Sequence, residues 1–148
     1  MVKISIITPS FNSEKTIKKC ILSIKNQSYS NIEHIIVDGG STDNTLKIIN
    51  DYKLENTLVI SEKDKGLYDG WNKGFNIASG DIIGSVMSDD YLNDNNTFNK
   101  VVEKFIQNNC DILYGNMNFV LNNQIIRKWR AGNFKKYKYF FGWMPPTP

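Results

Sequence analysis

Short β-branched runs alternate with amphipathic stretches of helical period along most of this chain. That alternation restricts the fold more than any other feature. Lys3 to Thr8 is a β-branched run closed by Pro9. Glu14 to Gln27 then places Ile17, Cys20, Ile21 and Ile24 three to four positions apart, which predicts a helix, with Asn12 or Ser13 as its N-cap. The pattern repeats as strands at Ile32 to Val37, Thr57 to Ser61, Asp81 to Met87 and Asp111 to Tyr114. Helices are predicted over Thr42 to Tyr52, Leu67 to Ala78 and Asn95 to Gln107. Met117 to Leu121 and Gln124 to Trp129 form a hairpin joined by Asn122-Asn123, a pair that tolerates the positive φ of a tight turn. Strands and helices in this order imply βαβ crossovers and a mostly parallel sheet covered on both faces. The expected class is therefore α/β, a Rossmann-like α/β/α sandwich with a C-terminal β-hairpin. One core is expected over residues 1–115, with 116–148 as the hairpin and the start of a further region of the same domain.

The 148 residues suffice for one domain with a buried core, and 41% hydrophobic and 22% charged residues exclude disorder and low-complexity classes. No apolar run reaches membrane-spanning length, and Ile4 to Ile7 is too short for a secretory leader, so a cytoplasmic location is expected. Cys20 and Cys110 stand far apart with no partner at metal-ligand spacing and read as small buried hydrophobes. The net charge is +3, yet six Lys/Arg and no acids fall from Arg127 onward. A weakly acidic body with a basic tail does not fit a nucleic-acid binder.

In an open α/β sheet, ligands gather outside the carboxyl ends of the strands, where loops and helix N-termini converge. Those ends carry Thr8-Pro9-Ser10-Phe11-Asn12, Asp38-Gly39-Gly40-Ser41-Thr42-Asp43, Glu62-Lys63-Asp64-Lys65-Gly66 and Ser88-Asp89-Asp90. Adjacent carboxylates after a buried strand repel one another unless a cation or solvent relieves them. Mg²⁺ or Mn²⁺ would do so, taking one or two carboxylates and completing its shell with phosphate and water. Taken alone, Asp89 and Asp90 read equally as a solvated turn before the next helix, and Asp38 as a turn-former before two glycines. Phe11 reads as a core aromatic, and Lys63 and Lys65 as solvated.

Three ordered motifs narrow these alternatives: Ile4-Ser5-Ile6-Ile7-Thr8-Pro9-Ser10-Phe11-Asn12, Val37-Asp38-Gly39-Gly40-Ser41-Thr42-Asp43-Asn44-Thr45, and Gly80-Asp81-Ile82-Ile83 leading to Ser88-Asp89-Asp90. Together they resemble the family 2 glycosyltransferases of the GT-A fold, and the bacterial surface-polysaccharide branch above all. That branch carries a stretch like Glu62 to Gly74 between the second and third motifs. The resemblance covers residues 2 to about 115 well and the rest loosely.

The resemblance implies an inverting transfer of a sugar from a UDP-linked donor to a saccharide or lipid-linked acceptor. It implies roles for Pro9, Phe11 and Asn12 beside the nucleoside, Phe11 stacking on it. Asp38 would accept the uracil N3–H, with Gly39 and Gly40 allowing close backbone approach. Lys65 would meet phosphate, and Asp69 and Asn72 would reach the donor sugar. Asp89 would touch the ribose or the metal, and Asp90 would bind Mn²⁺ or Mg²⁺ directly. Trp71 departs from the smaller or basic residues of the family near that point, which leaves that wall of the pocket unassigned.

His34, the single histidine, lies inside the second strand and is expected to be structural rather than a base. In related enzymes the base is a carboxylate well downstream of the metal motif. No acidic residue follows Asp111, so the catalytic base is expected to be absent from this chain, which then binds donor without transferring sugar. The basic, aromatic Lys135-Lys136-Tyr137-Lys138-Tyr139-Phe140-Phe141-Gly142-Trp143 reads either as a patch for a membrane surface at its inner face or, preferably, as a segment whose packing partner lies elsewhere. Two rivals have weaker support. A sugar-phosphate nucleotidyltransferase would need a glycine-rich basic loop after the first strand, and a dehydrogenase would need G-x-G-x-x-G there. A non-catalytic nucleotide-sugar-binding module is the alternative from another functional class.

Overall fold

The computed structural model describes residues 1–133 and 135. Its residues group into two compact units, Met1–Glu103 and the residues from Lys104 onward, and each is described by itself.

In the first unit β1 (Ile4–Ser10), β2 (Ile32–Asp38), β3 (Leu58–Ser61) and β4 (Ile82–Ser85) form one parallel sheet in the order β3-β2-β1-β4. Helices α1 (Ile17–Lys25), α2 (Thr45–Tyr52) and α3 (Leu67–Ile77) connect successive strands, and α4 (Thr97–Asn108) follows β4. Every residue of β1 and β2 is buried, as central strands covered on both faces require. The period-2 alternation of strands decides which layer each side chain meets. Ile36 packs with Ile17, Ile21 and Ile49 under α1 and α2, whereas Ile35, Val37 and Ile7 pack with Trp71 under α3.

Strand order reverses beside β1. The chain builds β1, β2 and β3 outward in one direction and then returns to lay β4 on the other side of β1. The crevice outside the carboxyl ends of β1 and β4 is thus a topological switch point, the usual ligand position in open α/β sheets.

At the opposite end of the sheet, Glu33 fastens the frame. Its carboxylate accepts hydrogen bonds from Lys3 Nζ and Ser5 Oγ and from Ser79 through both N–H and Oγ. Burial opposes ionisation there, yet these four donors hold its pKa down at about 2.

Several predicted boundaries shift. Helix α1 begins at Ile17 rather than Glu14, and its N-cap is Thr16, with no side-chain cap, so neither Asn12 nor Ser13 caps it. Their backbone groups are used between loops instead. Thr42 to Asn44 is likewise outside α2. The strand predicted at Asp111 to Tyr114 does not form: the segment is irregular, with Ile112 79% exposed, and a short apolar run without a pairing partner has no ladder to join. In the second unit β5 (Met117–Leu121) and β6 (Gln124–Trp129) form the expected antiparallel hairpin, with Asn122 and Asn123 at φ +49° and +61°. The aromatic segment from Lys136 on lies outside the described residues. Among the described residues no helix is long and apolar enough to cross a membrane.

Candidate donor-binding site

The loops at the carboxyl ends of β1, β2 and β4 converge as the sequence implied. An open cleft of about 490 Å³ at the switch point is lined by residues 11–16 with Asp43, Ser88 and Asp89. Phe11 is 60% exposed on it, so its ring is available for stacking and is not a core aromatic. Pro9 is buried in β1 at the base of this crest.

Asn12 holds a left-handed backbone, φ +46°, which asparagine tolerates better than most residues. Its N–H donates to Ser41 Oγ at 2.8 Å and its Oδ1 accepts the Thr42 N–H at 2.9 Å. The side chain predicted to face the nucleoside therefore also clamps the first loop to the second.

Asp38 ends β2 and has no exposed surface. One oxygen accepts the Ser10 and Ser41 hydroxyls, and the other accepts the Gly40 and Ser41 N–H groups and the Ser61 hydroxyl. Five donors exceed the roughly four lone-pair sites of a carboxylate, so a nucleobase reaching Asp38 takes the place of one of them. The Gly40 turn wraps around this carboxylate at φ +83°, a conformation that requires glycine.

Asp89 and Asp90 lie in a turn closed by the Asp90 N–H on the Met87 carbonyl at 3.0 Å. Asp89 is exposed and Asp90 half-buried. Burial, and then the neighbouring Asp89 charge, push the Asp90 pKa up. No ion pair to either carboxylate occurs among the described residues, which also contain no cluster of three or more metal-ligating side chains. Two oxygen donors with unrelieved charge fit Mg²⁺ or Mn²⁺ sharing its shell with phosphate and water, and do not fit a closed all-protein site. Asp90, with Asp89, would hold such an ion, which would supply positive charge to a diphosphate.

The third stretch is spread along α3. The Asp69 carboxylate accepts the Lys65 N–H at 3.1 Å and pairs with Lys73 at 3.4 Å, and these partners lower its pKa, the Lys65 amide foremost. Lys65 and Asn72 are exposed.

Asp64 was not singled out as a binding residue from the sequence. Its Oδ1 accepts the Gly66 N–H at 2.9 Å, and a Cβ on Gly39 would lie 2.7 Å from its Oδ2. The signal was the glycine: Gly39 leaves room for a carboxylate over the backbone next to Asp38. Asp111, the last acid of the chain, is exposed in the second unit.

His34 is fully buried in β2 beneath α1, with Nε2 3.0 Å from Thr8 Oγ1, and burial pushes its pKa down to about 3. It is a neutral core residue. Cys20 is buried beside Thr8, its thiol pushed up to about 12 chiefly by burial, whereas Cys110 is only half-buried; both are free thiols.

Similarity to known proteins bears on the family and the fold. Over 129 residues the chain is 34% identical to the Escherichia coli UDP-Glc:alpha-D-GlcNAc-diphosphoundecaprenol beta-1,3-glucosyltransferase WfgD, covering 86% of this chain and 51% of that protein. The crystal structure of Staphylococcus aureus TarS 1-349 in complex with UDP-GlcNAc superposes with a TM-score of 0.75 at 30% identity, over 84% of this chain and 37% of that one. Glucosyl-3-phosphoglycerate synthase from Mycobacterium tuberculosis, solved with Mn²⁺, UDP and glucosyl-3-phosphoglycerate, gives a TM-score of 0.51 at 27% identity over 59% of this chain and 33% of that one. The chain thus spans about half the length of its curated relative. The sequence model of Glycosyl transferase family 2 matches residues 5–145, and the chain belongs to that family, with the GT-A fold.

Proposed function

We propose that this chain binds the UDP-linked donor of an inverting glycosyl transfer, in a divalent-metal-dependent way, for a saccharide or lipid-linked acceptor in surface polysaccharide synthesis. The observation that carries this reading is the acidic pair of exposed Asp89 and half-buried Asp90, without a cationic partner among the described residues, at the switch point beside the exposed Phe11 ring. Asp90, with Asp89, would hold a Mn²⁺ or Mg²⁺ ion, which would supply positive charge to the donor's diphosphate. Phe11 stacks on the base, and Asp38 accepts its N3–H by exchange with a serine hydroxyl. Lys65 lies toward phosphate, and Asp69 and Asn72 toward the sugar. Support also comes from one relative, whose name specifies UDP-Glc and a diphosphoundecaprenol-linked acceptor, and from a structural neighbour bound to UDP-GlcNAc. An acceptor on a lipid would bring the protein to a membrane surface.

The proton acceptor for the incoming hydroxyl is not assigned to a described residue. Asp64 and Asp69 already hold the amides of Gly66 and Lys65. Titration calorimetry of UDP with Mn²⁺ and then with EDTA tests the reading. Tighter binding with Mn²⁺ supports it, and equal affinity in both overturns the metal role.

A further inference from the structure

Ser13 stands where three strand-end loops meet. Its N–H donates to Thr45 Oγ1 at 2.7 Å, and its hydroxyl donates to the Phe11 carbonyl at 3.2 Å. The same Oγ lies 2.9 Å from Ser88 Oγ. With the Ser13 proton used on the carbonyl, Ser88 is the donor of that pair. Ser88 is buried and immediately precedes the acidic pair. Glu14 continues the connection: its N–H donates to Asp43 at 3.2 Å, and its carboxylate accepts the Asn44 N–H at 3.0 Å and Asn44 Nδ2 at 2.9 Å.

These bonds span the crevice between two loops with different tasks. The β1–β4 ladder ends at Ile7↔Ser85, followed by the Val86 N–H on the Ile7 carbonyl at 3.1 Å. Further out the Ser13–Ser88 pair joins the two chain segments again, while the backbone of residues 13 and 14 holds the loop after β2. A hydroxyl pair is a short link with defined geometry, whereas the solvated carboxylates beyond it fix nothing by themselves.

We infer that Ser13, through Ser88, is a positioning residue for donor binding. It sets the acidic loop at a fixed distance from the loop that receives the nucleoside, so that metal and base engage one UDP together. This rests on the donor-binding reading above.

The experiment measures UDP affinity with Mn²⁺ and with EDTA for the native chain and for Ser13→Ala, Ser88→Ala, the double variant and Ser13→Thr. Amide hydrogen exchange at Asp89 and Asp90 is followed in the same samples. Expected is an affinity in EDTA within about twofold of native, and a gain from Mn²⁺ reduced by roughly two- to tenfold in each alanine variant, the range of one hydrogen bond. The double variant should lose no more than either single one, because the two residues form one link. Ser13→Thr, which keeps the hydroxyl, should restore the gain. Faster exchange at Asp89 and Asp90 in Ser13→Ala accompanies this result. A full Mn²⁺ gain in Ser13→Ala, an equal loss with and without metal, or additive losses in the double variant would overturn the inference. If the native chain shows no gain from Mn²⁺, the donor-binding reading fails and the role assigned to Ser13 falls with it, whereas native gain with unchanged exchange and affinity in the variants overturns the Ser13 role alone.

Discussion

Gly74 of α3 lies against Ile7 of β1 so closely that a Cβ on Gly74 would stand 2.5 Å from Ile7 Cγ2. Glycine inside a helix is unfavourable by about 1 kcal/mol relative to alanine, so its presence has to be explained by contact. Here it lets the helix settle on the sheet; one turn earlier a Cβ on Gly70 would meet Pro9 Cβ at 3.6 Å, an ordinary van der Waals contact.

Gly74→Ala is therefore expected to destabilise the fold in spite of its better helix propensity. Overpacking a core commonly costs about 1–3 kcal/mol, and Ile7 is fully buried in a central strand with nowhere to move. Urea denaturation should give a net loss of up to about 2 kcal/mol, the overpacking cost less the gain in helix propensity. An increase in stability would mean that α3 does not pack on β1 this closely.

Replacing Asp90 separates function from stability. Asp90→Ala should remove the gain in UDP affinity that Mn²⁺ provides, at least tenfold or about 1.4 kcal/mol, with affinity in EDTA unchanged. Asp90→Asn should lose the same gain while raising the melting temperature of the metal-free protein, because it removes a half-buried charge beside Asp89. Calorimetry and thermal denaturation on the same preparations measure both. A variant that keeps its Mn²⁺ response excludes Asp90 as the ligand.

Asp38 carries two tasks that its substitution should expose together. Asp38→Ala leaves Ser10, Ser61 and the Gly40 and Ser41 amides without their acceptor, a loss of roughly 2–4 kcal/mol in stability. The native chain should prefer UDP to CDP by at least tenfold, about 1.4 kcal/mol, because unprotonated cytosine N3 sets acceptor against acceptor. Competition binding with the two nucleotides measures the ratio. If Asp38→Ala keeps the preference while losing stability, Asp38 only holds the Gly40-Ser41 turn.

Acid should weaken this fold in two windows with the same sign. His34 is held neutral, its pKa down at about 3 against an ordinary value near 6.5, so the unfolded chain binds a proton that the native one does not. Stability is fully present above about pH 6.5 and falls as pH drops toward 3, by on the order of 1.4 kcal/mol per unit. Glu33, held at about 2, adds a second loss that sets in as pH falls past its ordinary value of 4.5 and runs down to about 2. Denaturation curves at pH 7.5, about 5.5 and about 4 follow from this linkage. His34→Gln should flatten the slope between the first two, and an unchanged slope would show that His34 is not the group responsible.

Periodicity alone made most of the framework legible. The spacing of Ile17, Cys20, Ile21 and Ile24 marks a buried helical stripe, and the runs rich in β-branched residues at 4–8 and 32–37 mark strands covered on both faces. The order of these elements implies a parallel sheet, and so places the loops of Phe11, Asp38 and Asp90 at one edge. Strand edges are local consequences of sequence, and side-chain partners are not. The sequence held no sign that Asp38 is closed over by Ser10, Ser41 and Ser61, residues from three separate segments brought together by the register β3-β2-β1. Nor did it show that Ser13 meets Ser88 across 75 positions, or that Asp64 lies over Gly39. Asp111 to Tyr114 failed as a strand for the same reason: propensity can suggest an extended segment, but only a neighbouring edge gives its backbone groups somewhere to bond. Elements follow from the period of the chain. Which polar groups are left free to hold a ligand follows from how distant loops share hydrogen bonds once the sheet has formed.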